Sequence, residues 1–198
     1  MSKKTFAVLG IILMLLSALP VHAGAPRNTV EENVNKVLSI LRDPKLKGEG
    51  AKETKKARLR ALYDVMFDEI ELSRRTLARN WNKFAPAERK EFVLLFKQVL
   101  EKAYIDKILS YTNEKIVFDR EITRGENLAE VQSRIIASGK EIPISYRVIM
   151  KNNTWKVYDV VVENVSLVQN YRTQFNGILA KSTPEELLVT LRKKVKGP

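Results

Sequence analysis

The chain has 198 residues, no cysteine and a single histidine, His22, so disulfides and thiol nucleophiles are excluded. With 35 basic and 23 acidic side chains its formal charge is +12, a balance that favours anionic partners. Residues 1–23 read as a cleaved signal peptide: Lys3 and Lys4 lead an apolar run from Phe6 to Leu19, Pro20 breaks it, and Val21-His22-Ala23 offers the cleavage site. The run falls short of the roughly 20 residues that a membrane helix needs. Cleavage after Ala23 also removes His22, and with it any Ser-His-Asp triad and the common zinc sites. What remains, residues 24–198, has the size of one soluble, unanchored domain. Export turns the expected anionic partner from nucleic acid to lipid or a membrane surface.

The mature chain opens as a helix. Asn28 or Thr29 caps it, with Glu31 or Glu32 three residues on, and Val30, Val34, Val37, Leu38 and Leu41 recur at helical spacing until Asp43-Pro44. After a basic, glycine-containing loop, Leu59, Leu62, Tyr63 and Met66 mark a second helix, and Asp68 with Glu71 caps a third that ends near Asn80. Pro86 suits the first turn of a fourth, whose apolar face holds Phe92, Leu95, Phe96, Val99 and Ala103. Beyond Ser110 the period becomes two. Residues 115–120, 128–137, 142–150 and 155–163 read as strands, joined by connectors short enough to force an antiparallel meander. A helix then carries Leu167, Val168, Tyr171, Phe175, Ile178 and Leu179. The capping box Thr183-Pro184-Glu185-Glu186 opens the last one, with Leu187, Leu188, Leu191 and Val195 on its face. The pattern is α+β: helices, a four-stranded antiparallel sheet, then helices.

The large apolar side chains of these elements form either an ordinary core or the wall of an apolar cavity, and periodicity alone does not separate the two. Three segments resemble the MlaC family, the toluene-tolerance auxiliary proteins. They are residues 67–81 (FDEIELSRRTLARNW), the helix with Glu88, Phe92 and Phe96, and residues 155–175 (WKVYDVVVENVSLVQNYRTQF). Three positions depart from the family: Ala78 and Asn164 stand where glycine is usual, and Ala85 where serine or threonine is common. The resemblance implies a soluble periplasmic phospholipid-binding protein of an ABC transport system that maintains outer-membrane lipid asymmetry. It would be a monomer that serves an inner-membrane ABC transporter complex with its substrate-binding ring and an outer-membrane lipoprotein–porin complex. Its fold would be helices on a curved four-stranded sheet enclosing an apolar cavity, a cone of the NTF2-like kind. Such a carrier needs a greasy interior, because exposing acyl chains costs about 0.8 kcal/mol per methylene, on the order of 11 kcal/mol for a 16-carbon tail.

Around the tails this reading places Phe96, Val99, Tyr104, Ile144, Tyr146, Val148, Trp155, Val157, Val161, Leu167, Tyr171 and Phe175, each of which plain packing would also explain. Arg147 and Arg172 are candidates to meet the phosphate at the mouth. Arg74, Arg75 and Arg79, at helical spacing, either dock a partner or form a solvated face. No metal-ligating cluster and no cofactor motif is present. Two other readings remain open: an isomerase-type enzyme with Asp159 as a desolvated base, and a periplasmic chaperone for hydrophobic polypeptide segments.

Overall fold

The structure is a computed structural model that describes residues 25–111, 114–137 and 139–197; the signal-peptide reading falls outside them. Helix α1 (Pro26–Arg42) begins earlier than Asn28. Pro26 takes the first helical position, where its missing N–H is no loss, and the Ala25 carbonyl accepts from Thr29 N at 3.2 Å. Asp43 ends it and starts a short 3₁₀ turn by accepting from Lys45 N at 2.9 Å. Helix α2 (Lys52–Met66) and helix α3 (Glu69–Leu77) follow, and the Asp68 carboxylate caps α3 through Glu71 N at 3.0 Å, as its sequence predicts. A 3₁₀ segment (Ala78–Lys83) leads to the long α4 (Pro86–Leu109). Then come β1 (Lys115–Thr123), β2 (Leu128–Ala137), β3 (Lys140–Lys151), β4 (Thr154–Val162), the two-residue β5 (Val165–Ser166), α5 (Leu167–Leu179) and α6 (Pro184–Lys196).

The sheet is antiparallel throughout, in the order β1-β2-β3-β4-β5, so the expected meander of four strands gains a fifth, very short one. Asn152 and Asn153 turn β3 into β4 with φ of 49° and 56°, and Glu163 and Asn164 turn β4 into β5 with φ of 49° and 66°. Both are tight hairpins whose left-handed residues match the twist of the strands, and asparagine tolerates that conformation better than most residues.

Two bulges decide which side chains share a face. Asp119 is the extra residue in β1 and Tyr158 the extra residue in β4. Past each bulge the alternation shifts by one. One face therefore carries Ile116, Phe118, Glu121, Thr123, Ala129, Val131, Ser133, Ile135, Ile142, Ile144, Tyr146, Val148, Met150, Trp155, Val157, Val160 and Val162. Helix α1 lies on this face, burying Val30, Val34 and Leu38 against Ala129, Val131, Val148, Trp155 and Val157. The opposite face is a polar ladder. Arg147 bonds Glu130 and Asp159, Arg120 bonds Gln132, and Arg134 holds Asp119 and Glu141.

Helices α3 to α6 build a second core. Phe92, Phe96, Phe175, Leu187, Leu188 and Leu191 are almost wholly buried there. Phe92 meets Phe175 edge-on at 5.5 Å, and Phe96 meets Tyr171 in the same way at 5.0 Å, the geometry that the ring quadrupoles favour. Phe67, between α2 and α3, packs against both cores. Among the described residues no helix is long and apolar enough to cross a membrane.

Candidate ligand-binding interior and basic groove

The sequence-derived lining residues divide between the two cores. Phe96, Val99, Tyr171 and Phe175 are buried in the helical one, with Tyr104 and Leu167 half-buried at its edge. Val148, Trp155 and Val157 are buried under α1, and Tyr146 is half-buried beside them. Ile144 extends the same sheet face and belongs to neither buried cluster. Val161 is the exception. The bulge at Tyr158 turns it to the opposite face, across from Ser145, so it does not share a surface with Ile144, Tyr146 and Val148. Its neighbours Val160 and Val162, opposite Tyr146 and Ile144, hold the position that counting by twos from Val157 assigns to Val161.

Polar groups in this interior are few and placed. Burial pushes the Tyr146 hydroxyl up to about 12, against a hydrogen bond with Ser133 that pulls it down. Burial also raises Tyr171, helped by the Tyr104 hydroxyl bonded to it. The Trp155 Nε1 is buried with no acceptor among the described residues, an orphan of the kind that costs about 1–3 kcal/mol.

The arginines have separate settings. Arg74, Arg75 and Arg172 line one open hollow of about 380 Å³ together with Ala78, Trp81 and Asn82. Arg79 and Arg147 are not among its lining residues. Arg79 is exposed on the 3₁₀ segment, and Arg147 is spent on the sheet, 3.0 Å from Asp159 and 3.3 Å from Glu130. A second open hollow, about 330 Å³, is lined by Lys56, Gln98, Glu101, Lys102, Ile105, Asp106 and Val195. Both are polar clefts at the surface, and neither is the enclosed apolar chamber expected from sequence.

Asp159, the proposed base of the enzyme reading, has both oxygens engaged. Oδ2 accepts from Arg147 Nη1 at 3.0 Å and from Ser166 Oγ at 2.6 Å, while Oδ1 accepts from Val168 N at 3.0 Å. It fastens β4 to β3 and to the start of α5, and so does structural work. Sequence reasoning missed Trp81, Asn82 and Ala78 as groove residues, Phe67 as the bridge between the cores, and Tyr158 as the platform under Arg75, whose guanidinium lies 4.0 Å from the ring centroid. Only the Arg74/Arg75 pair, on one turn of a helix, signalled the groove.

The fold and the sequence have known relatives. The fold matches the phospholipid-binding protein from Ralstonia solanacearum, solved in complex with a phospholipid at 1.53 Å, with a TM-score of 0.77 and 22% identity over 87% of this chain and 98% of that one. The Haemophilus influenzae intermembrane phospholipid transport system binding protein MlaC is 26% identical over 129 residues, 63% of this chain and 60% of its own length. The Pseudomonas putida toluene tolerance protein ttg2D is 25% identical over 183 residues, 86% of this chain and 82% of its own. The model of the MlaC protein family matches residues 31–193, from the second turn of α1 to the last turns of α6, and the chain belongs to the MlaC family.

Proposed function

We propose that the protein is a soluble periplasmic carrier of phospholipid. It holds acyl chains between the sheet and the helices and passes lipid between an inner-membrane ABC transporter with its substrate-binding ring and an outer-membrane lipoprotein–porin complex, preserving outer-membrane lipid asymmetry. Family membership supports this reading, as do the names of the two relatives. The observation that carries it is an apolar sheet face covered at one end only. Helix α1 buries Ala129, Val131, Val148 and Val157, with Tyr146 and Val160 packed against that cluster, but further along the same face Ile135, Ile142 and Ile144 stay half-buried and Val162 is 40% exposed. Apolar surface left in water forgoes roughly 25 cal/mol per Å², so a hydrocarbon chain laid there gains what the fold leaves unused. No bond is broken in such a function, which suits a chain whose buried carboxylates, Asp68, Glu71, Glu130 and Asp159, are each hydrogen-bonded into the fold.

The face assignment has a direct test. Ile144→Glu puts a charge on the apolar face and is expected to abolish lipid loading, read as bound lipid mass by native mass spectrometry. Val161→Glu, one strand away but on the polar face, is expected to load normally. Full loading of a folded Ile144→Glu protein would remove this face from the site.

A further inference from the structure

A hollow of about 380 Å³ lies between α3, the 3₁₀ segment and α5, apart from the apolar sheet face. We propose that it is a docking groove for an acidic segment of a partner polypeptide. Its cationic walls are Arg74, Arg75 and Arg172, its apolar floor is Ala78 and Trp81, and no acidic side chain is among the residues that line it. The guanidiniums are fixed from behind. Glu71, itself largely buried, accepts from Arg74 Nε at 2.9 Å and Nη2 at 2.8 Å, and from Arg75 Nε at 2.6 Å. Arg75 also rests on the Tyr158 ring. Arg172 donates Nε and Nη2 to the Arg75 carbonyl at 3.0 and 2.7 Å, and Nη1 to Gln169 at 3.1 Å.

Glu71 thus pairs with two of the three arginines, Arg172 is held by neutral acceptors, and net positive charge is left at the groove. Arginines immobilised beforehand lose little further freedom on binding, which is the condition for a specific site. Arg134 on the sheet shows the opposite case, since Asp119 and Glu141 saturate it between them. The open shape and the Trp81 floor fit a stretch of chain that alternates acidic and apolar side chains better than they fit a small anion. The groove also holds the strained Ala78, with φ 49° and ψ −123°, and such outliers concentrate where a surface is shaped for binding.

The proposal goes beyond the carrier reading and is measured apart from it, because peptide binding and lipid content are separate readouts. The probe is a fluorescein-labelled six-residue peptide of alternating glutamate and leucine, titrated by anisotropy at constant ionic strength. The wild-type protein is expected to bind it. Arg74→Gln and Arg172→Gln are each expected to weaken binding about tenfold, the loss of one charge-assisted contact. Arg134→Gln, the same charge change at a distant site, is expected to leave it within about twofold, since it touches only charge at long range. Should Arg172→Gln misfold by circular dichroism, Arg74→Gln, whose side chain is more exposed, carries the comparison alone. Absence of peptide binding, or an equal loss in the Arg134 variant, overturns the proposal. So does binding to phosphatidylglycerol vesicles that depends on Arg74 while the peptide is ignored; that result would make the groove a contact for lipid surfaces.

Discussion

Ala78 closes α3 with φ 49° and ψ −123°, a conformation that an L-side chain resists and glycine adopts freely. Strain of this kind costs about 1–3 kcal/mol, while glycine loses roughly 0.5–1 kcal/mol of unfolded-chain entropy. Ala78→Gly is therefore expected to stabilise the protein by about 1 kcal/mol, read as a higher midpoint in urea; a lower midpoint would show that the turn is not strained. Glu71 sits three residues inside the same helix. Burial alone would raise its carboxyl, but the Arg74 and Arg75 hydrogen bonds outweigh that and hold it below the ordinary value of 4.5. A carboxyl depressed in the folded state adds stability above its unfolded value and loses it as pH falls through the folded one. Thermal melts are thus expected to drop in midpoint as the pH is lowered below about 4.5, and Glu71→Gln to lower the midpoint at pH 7 while flattening that acid slope. An unchanged slope would assign the acid sensitivity to other carboxylates, such as Glu130, which Gln132 and Arg147 likewise hold low against the opposing effect of burial.

Among the elements, α4 starts without a side-chain acceptor at its N-cap. Ala85 holds the extended backbone of an N-cap, φ −63° and ψ 159°, but has no side-chain acceptor, and only the Glu88 carboxylate reaches back, accepting from Ala85 N at 2.6 Å. Ala85→Ser is expected to add about 1 kcal/mol, or a few degrees in the thermal midpoint of a chain this size. No gain would mean that the Glu88 bond already satisfies the helix end.

The elements themselves were legible because their signals are local: apolar spacing for α1 to α6, Asp68 and the Thr183–Glu186 box for helix starts, short connectors for the turns of the sheet. The faces of β4 were not legible. Whether Tyr158 is paired or bulged depends on Arg147 and Val148 in the neighbouring strand, and no count along β4 itself reveals it. Val161 was misplaced for that reason. The groove was only half legible, since Arg75 and Arg172 meet across a separation of 97 residues and Trp81 joins them from a 3₁₀ turn with no period of its own.

At the scale of the molecule, two separate cores share one fold. The helical core is close-packed around Phe92, Phe96 and Phe175, and Phe→Ala there should cost about 3–5 kcal/mol. The sheet core is finished only under α1, and the apolar face continues past it, half-buried, toward Ile144 and Val162. A protein whose sole task was to be stable would gain by covering that surface with its own side chains; a carrier leaves it for cargo. Residues 24–198 carry 33 basic and 23 acidic side chains, a net +10, and association with an acidic surface is expected to slow as salt rises. A chaperone for extended polypeptides would use the same apolar face but would return from the cell without bound lipid. The most direct measurement is therefore native mass spectrometry of the protein purified without detergent from cells that export it. The account predicts an added mass matching a diacyl phospholipid. A bare polypeptide mass, together with failure to take up labelled phospholipid from vesicles, would contradict it.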